Sequence, residues 1–67
     1  MERTNLKIKR IEKRMTQTQV AKKMGVSPAT YSFIESGKRV GSIENWSKLK
    51  EIFNLKGEEM WDLIQNK

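Results

Sequence analysis

The 67-residue chain contains neither cysteine nor histidine. Without cysteine there is no disulfide, thiolate metal site or cysteine nucleophile, which is compatible with a reducing cytoplasm. Without histidine the commonest general base and metal ligand are also missing. Because only carboxylate, lysine or serine chemistry would be left for an enzyme, the sequence predicts a protein without catalysis, metal or cofactor.

Long apolar segments are missing as well. Uninterrupted apolar runs reach only two residues, and the N-terminus lacks a signal-peptide core, so we expect neither export nor a membrane span. Positive charge is abundant, because 14 basic residues against 8 acidic ones give a formal +6 and a pI near 9.9. This charge favours a polyanionic partner, nucleic acid or an anionic membrane surface. The length predicts a single domain, 1–67.

The clearest local pattern lies in residues 16–36, which predict two short helices joined at a glycine. Thr16 and Gln19 have the spacing of a capping box at the start of the first helix. Gly25 follows its last apolar residue and can end it in a left-handed conformation. The apolar stripe of this helix is Val20, Ala21 and Met24.

The second helix of the pair begins directly after this turn. Ser27 is a capping residue, and Pro28 occupies the first helical position, where a missing N–H costs nothing. Tyr31 and Ile34 form its buried stripe, and Gly37 can end it. Helices this short must pack on each other, which describes a helix-turn-helix; a helical hairpin in another small bundle has the same local pattern.

Other residues complete a wider pattern around this pair. They are Arg10, the segment 15–21 (MTQTQVA), Gly25-Val26-Ser27, Ile34-Glu35 and Gly37-Lys38. In these residues the run from Leu6 to Trp61 resembles the Cro/repressor-type helix-turn-helix family, also called lambda-repressor-like or XRE. The resemblance implies a compact all-α domain of five helices, with helices 2 and 3 as the helix-turn-helix, that binds operator DNA, usually as a dimer.

The expected helices span about 5–14, 17–24, 28–36, 43–53 and 58–65. In the first, Leu6 and Ile11 are expected to face inward, and residues 1–4 to be frayed. Arg14 stands where many relatives have glycine. Either it takes a positive φ at some strain, or the helix ends differently.

The C-terminal half follows from caps and apolar spacing. Ser42 is predicted to cap helix 4, and Leu55 to fold back into the core. The inward-facing residues of helices 4 and 5 are predicted to be Ile43, Trp46, Leu49, Ile52 or Phe53, Met60, Leu63 and Ile64. Trp61 does not fit this stripe and is either a subunit contact or an ordinary packing residue.

The resemblance also assigns roles to individual residues. An ion pair between Arg10 and Glu35 would join helices 1 and 3; the alternative is a solvated Arg10. The base-contacting places are Ser27, Pro28, Ala29, Thr30, Ser32 and Phe33. The phosphate-contacting places are Thr16, Gln17, Ser36, Lys38 and Arg39. Lys22 and Lys23 either add long-range attraction or form a solvated face.

The base-contacting places depart from the family in chemistry. Pro28, Ala29 and Phe33 stand where others carry longer polar groups such as glutamine, and none can make a bidentate hydrogen bond to a purine. Readout is therefore expected to rely on thymine methyls, hydroxyls and groove shape. Phe33 either contacts a thymine methyl or packs against neighbouring protein.

These expectations combine into a cytoplasmic transcriptional regulator comparable to the Cro-like repressors of phages and mobile elements. It would bind a palindromic operator in double-stranded DNA as a homodimer, with no membrane or small-molecule ligand. The alternatives are an antitoxin-type regulator and a protein-interaction module that docks a partner on Pro28, Ala29 and Phe33. An enzyme using Glu58 and Glu59, or serine and lysine, has no cleft-sized scaffold.

Overall fold

The computed structural model describes residues 2–66, and within that range it consists of five α-helices and no strand. The helices are α1 (Thr4–Glu12), α2 (Gln17–Met24), α3 (Pro28–Ser36), α4 (Ile43–Ile52) and α5 (Gly57–Gln65). Helix α2 packs on α3 and α4, α1 packs on α3, and α5 packs on α4. The predicted all-α, five-helix architecture is confirmed. Within residues 2–66 no helix is long and apolar enough to cross a bilayer.

Three of the helices, α2, α3 and α4, begin after a residue whose side chain caps them. Thr16 Oγ1 accepts from the backbone N–H of Gln19 at 3.1 Å, and the backbone N–H of Thr16 donates to Gln19 Oε1 at 2.8 Å. This is the predicted capping box. Ser27 Oγ accepts from the backbone of Thr30 at 3.2 Å, and Ser42 caps α4 in the same way. Each cap satisfies a donor that the first helical turn would otherwise leave without a partner.

Each of the four connections between consecutive helices contains a residue with a left-handed backbone, and the first two connections bear on the helix pair. Gly25 ends α2 with φ +76° and allows α3 to begin after only two more residues. The turn after α1 takes the same conformation at Arg14, with φ +55°. Glycine adopts this region at little cost, whereas a side chain with a Cβ is strained in it. The first of the two alternatives for Arg14 is therefore the observed one.

The core lies where α2, α3 and α4 meet. Its buried apolar side chains are Leu6, Val20, Ala21, Met24, Tyr31, Ile34, Trp46, Leu49, Phe53, Leu55 and Leu63. Trp46, Leu55 and Leu63 are thus core residues as predicted, and Met60, Ile64 and Ile52 pack against this core in partly buried positions. The core fixes the orientation of α3 from its inner side and leaves the other side exposed.

Two predicted core residues are exposed. Ile11 is 55% exposed, because Leu6 and Arg10 occupy the inward side of α1. Ile43 is 89% exposed, because it lies in the first turn of α4, where no other helix covers it. The helical spacing was right in both helices, but the predicted apolar stripe was wrong at these two positions.

Arg3 contradicts the expectation of a frayed N-terminus. It is only 6% exposed, and its guanidinium lies 5.7 Å from the centre of the Trp46 ring. Its side chain donates to the backbone oxygens of Ile34 (2.7 Å), Arg39 (2.9 Å) and Ile64 (3.1 Å). Because carbonyls near helix ends lack intrahelical partners, the guanidinium satisfies them and anchors the start of the chain. Residue 1, also expected to be frayed, lies outside the described range.

Candidate nucleic-acid interface

The start of α3 presents an outward side that the rest of the domain does not cover. Tyr31, Ile34 and Glu35 face the core, so the residues between and before them face outward. Of the six predicted base-contacting residues, Ser27, Pro28 and Ala29 are exposed, and Thr30, Ser32 and Phe33 are half-buried. A helix exposed in this way can enter the major groove with its N-terminal side chains first.

This surface carries few hydrogen-bonding groups. Pro28 and Ala29 have apolar side chains, and the hydroxyls of Ser27 and Thr30 lie 2.9 Å apart. One of these hydroxyls donates to the other, so the pair presents one remaining O–H to a ligand. The exposed start of α3 therefore offers a ligand apolar contacts and few hydrogen-bonding groups.

Phe33 supports two cations of the loop that follows α3. The Arg39 guanidinium lies 4.7 Å, and the Lys38 ammonium 5.9 Å, from the centre of the Phe33 ring. The backbone N–H of Arg39 also donates to the Phe33 carbonyl at 3.1 Å. Cations over an aromatic face are attracted by its quadrupole. Phe33 thus packs against side chains of its own chain, while contact of its half-buried ring with a thymine methyl stays a prediction.

The other flank of the surface is the start of α2. The capping box occupies the backbone N–H groups of Thr16 and Gln19, so those of Gln17 and Thr18 remain without an acceptor inside the helix. These groups and the positive end of the helix dipole suit a phosphate. The side-chain amide of Gln17, however, donates to Glu35, which ties it towards α3.

Ser36 is less available than predicted. Its hydroxyl donates to the Phe33 carbonyl at 3.2 Å within α3. A hydroxyl has one proton, so Ser36 would have to release this bond in order to donate to a phosphate.

A polar network behind the surface joins three helices. Glu35 Oε1 accepts from Arg10 Nε at 2.8 Å and from the Tyr31 hydroxyl at 3.1 Å, while Glu35 Oε2 accepts from Gln17. The Arg10 side chain is 13% exposed and that of Glu35 is 4% exposed. The Arg10–Glu35 ion pair implied by the resemblance is therefore present, and it fixes α1 and the start of α2 relative to α3.

Protonation in this network follows from its partners. The hydrogen bond to Glu35 raises the pKa of Arg10, which stays a cation. Burial, followed by the nearby charge of Glu35, raises the pKa of Tyr31 well above its usual 10.0. Tyr31 therefore keeps its proton at neutral pH and donates it to the carboxylate. Among residues 2–66 every buried side-chain nitrogen and oxygen has a hydrogen-bond partner.

The cations beside the surface are not neutralised by nearby carboxylates. Across residues 2–66, ion pairs join Lys7 to Glu2 (3.9 Å), Lys9 to Glu59 (3.1 Å) and Arg10 to Glu35 (2.8 Å). Lys38 and Arg39 are exposed and belong to none of them. No cluster of carboxylates in the described part of the chain could hold a metal ion. The exposed Lys38 and Arg39 can thus attract a polyanion.

An apolar groove of about 420 Å³ lies on the side of α4 and α5. Trp61 is 58% exposed and lies at this groove. The other main apolar side chains of its lining are Val40, Ile43, Trp46, Met60 and Ile64. Trp61 is therefore not a buried packing residue within the monomer.

Sequence reasoning missed two cations that position the site. Arg3 holds carbonyls at the end of α3, and Lys48 Nζ donates to the carbonyl of Met24 at 3.0 Å, at the end of α2. The acceptors are backbone oxygens, which every residue has. No side-chain pattern in the sequence marks them.

A helix pair with its second helix exposed beside unneutralised cations is the arrangement of a helix-turn-helix DNA-binding domain. A model of the family described as Helix-turn-helix matches residues 6–60, so the chain belongs to that family. An uncharacterized HTH-type transcriptional regulator of Archaeoglobus fulgidus is 37% identical over 59 residues, which are 88% of this chain and 83% of that protein. No solved structure matches the chain. The chain is a DNA-binding transcription regulator, and the family resemblance is confirmed.

Proposed function

We propose that the protein is a cytoplasmic repressor of the Cro-like type found in phages and mobile elements, which binds a palindromic operator as a homodimer. The observation that carries this proposal is the exposed start of α3 between two phosphate-attracting flanks. One flank is the open end of α2, and the other is the pair Lys38 and Arg39. Occupying a promoter with such a domain blocks transcription without any further activity.

In this proposal the outer residues of α3 contact base edges and the flanks contact phosphates. Base contacts come from Ser27, Pro28, Ala29, Thr30, Ser32 and Phe33. Phosphate contacts come from Thr16, the backbone N–H groups of Gln17 and Thr18, Ser36, Lys38 and Arg39. Because phosphate contacts carry no base information, the apolar α3 surface sets the operator sequence.

A dimer follows from the small size of the reading surface. One short helix covers few base pairs, and a second copy about 34 Å away on the duplex doubles the sequence that is read. The apolar groove beside Trp61 and Ile43 supports a subunit contact there, since exposed aromatic and aliphatic side chains are typical of interface cores.

The first experiment is the selection of bound duplexes from a random library at two salt concentrations. We expect a palindrome with half-sites about one helical turn apart. With about 6 to 10 phosphate contacts, affinity should fall about a thousandfold or more between 50 and 200 mM salt. Weak binding without sequence preference, or binding that does not change with salt, would overturn the operator proposal.

A second candidate is a protein-interaction module or antitoxin-type regulator, favoured by the exposed apolar Pro28 and Ala29. The selection experiment separates the two functions, because only the operator binder enriches a palindrome.

The Phe33 contact is tested with operator duplexes that carry uracil in place of thymine at single positions. If Phe33 touches a thymine methyl, wild-type affinity falls at one position in each half-site, and the variant Phe33→Ala no longer distinguishes uracil from thymine there. Equal affinity at every position would show that the ring serves only as a support for Arg39.

The subunit contact is tested by sedimentation and by comparing full and half operators. Ile43→Ser and Trp61→Ala should weaken dimers and lower affinity for the full palindrome, while affinity for a half-site is retained. Ile11→Ser is the matched control, because Ile11 is also exposed but lies on α1. If all three variants behave alike, the groove is not the subunit contact.

A further inference from the structure

A second concave surface lies between the end of α1 and the outer side of α2. Its volume is about 610 Å³, and its lining residues are Lys13, Arg14, Met15, Gln19, Lys22 and Lys23. The four cations are all exposed, and none lies within ion-pair distance of a carboxylate in residues 2–66. Four unneutralised cations around one concavity suit an anionic ligand.

Arg14 makes this surface unusual. Its φ of +55° places it in the left-handed region, where a side chain is strained and glycine is not. The turn is fixed on both sides: the backbone N–H of Arg14 donates to Ile11 at 2.8 Å, and Arg10 Nη1 donates to the carbonyl of Met15 at 2.8 Å. Arginine is less favourable than glycine for the backbone conformation of this turn. What Arg14 contributes is its charged guanidinium.

The surface is continuous with the start of α2. Thr16 is two residues after Arg14, so their Cα atoms are at most about 7.6 Å apart. Gln19, which completes the capping box of α2, also lines the concavity. These cations therefore lie next to the place where a phosphate at the start of α2 would be held.

We propose that Lys13, Arg14, Lys22 and Lys23 form a second phosphate-binding surface, which holds the DNA backbone just outside the bases that α3 reads. This inference rests on the proposed operator binding. Each additional phosphate contact releases counterions and adds about 0.9 to the slope of log affinity against log salt. The surface would thus strengthen binding to any sequence and lengthen the DNA that the protein covers.

The test compares wild type with Arg14→Gln on the selected operator duplex. We expect the variant to lose about tenfold or more in affinity near 0.1 M salt, and its salt slope to fall by about 2 for a dimer that loses one contact per subunit. Lys50→Gln removes the same charge from an exposed residue of α4 and is the matched control.

A shortened duplex locates the contact. The shortened duplex ends at the outer edge of each half-site. Wild type should bind it more weakly than it binds the full duplex. Arg14→Gln should bind the two duplexes with nearly equal affinity. Arg14→Gly gives an independent readout, because it removes both the charge and the strain. Its midpoint of thermal unfolding should rise by a few degrees while its affinity for DNA falls.

Two results would overturn the inference. If Arg14→Gln binds the full duplex with the wild-type affinity and salt slope, the cations do not contact DNA, and an acidic protein surface becomes the better partner. If wild type itself binds no duplex in a salt-dependent way, the proposed operator binding fails as well. The wild-type measurement therefore distinguishes the two failures.

Discussion

Arg3, which is buried, and Arg10, which is partly buried, hold α3 in different ways. Arg10 pairs with a carboxylate, because its Nε lies 2.8 Å from Glu35 Oε1. Within residues 2–66 the Arg3 side chain donates to backbone oxygens, those of Ile34, Arg39 and Ile64. The bond to Glu35 raises the pKa of Arg10, whereas burial lowers that of Arg3.

The two arginines therefore differ in what their removal leaves behind. Removing Arg10 leaves a charged carboxylate buried, and an unpaired buried charge is costly. Removing Arg3 takes a charged donor from three carbonyl dipoles, of which that of Ile34 keeps the backbone N–H of Gly37, and a dipole costs less than a charge. The four predictions below test this ranking and the surroundings of each site.

The largest effect is expected for Arg10→Met. It should lower the free energy of unfolding by about 3 to 5 kcal/mol, since Glu35 stays buried without its cation. A chain of this length has a total stability of only about 3 to 10 kcal/mol, so the variant is near unfolding at room temperature. Urea denaturation at neutral pH measures the loss. The double variant Arg10→Met/Glu35→Leu should recover most of the lost stability, because no charge is left buried. If Arg10→Met is as stable as wild type, the ion pair does not stabilise the fold.

Arg3→Met should cost less, about 2 to 3 kcal/mol, because three carbonyls lose a charged donor. The control is Lys7→Met, which replaces an exposed cation of α1, the helix that follows Arg3, and should change stability by less than about 0.5 kcal/mol. Equal effects of the two substitutions in urea would mean that Arg3 does not anchor the chain.

Gly41→Ala tests the loop that Arg3 holds through Arg39. At Gly41 φ is +89°, and an added Cβ would lie 3.1 Å from Ile34 Cδ1, so we expect a loss of about 1 to 3 kcal/mol. Gly57→Ala is the matched control, because nothing lies within 4 Å of its Cβ and it starts α5. The midpoint of thermal unfolding should fall for Gly41→Ala. For Gly57→Ala it should rise or stay unchanged. A neutral Gly41→Ala would show that the loop adjusts.

The smallest effect at neutral pH concerns Tyr31, which belongs to the Arg10 site. Its pKa is raised in the folded state, so above pH about 10 the unfolded chain releases this proton and the folded chain keeps it. The free energy of unfolding should therefore be unaffected below pH 10 and fall above it by up to about 1.4 kcal/mol per pH unit. Urea unfolding between pH 8 and 11 measures the slope, and Tyr31→Phe should remove it. Tyr31 is the single tyrosine of the chain, so tyrosinate absorbance reports its titration directly; titration near pH 10 without unfolding would refute the raised pKa.

Helix starts and turns could be predicted because their signals are local. Thr16, Ser27 and Ser42 cap helices within three residues of themselves, and Gly25 takes the left-handed conformation that only glycine adopts freely. The Arg10–Glu35 pair was available only through the family resemblance, since the two residues lie 25 positions apart.

Residue patterns therefore predict the five helices, the exposed start of α3, and a cationic surface without cysteine or histidine. Tertiary packing sets which side of each helix is covered, which is why Ile11 and Ile43 are exposed although their spacing is helical. It also decided the role of Arg3, whose acceptors lie 31, 36 and 61 positions along the chain. Capping and turn energies act between neighbours, whereas burial depends on which distant elements pack together.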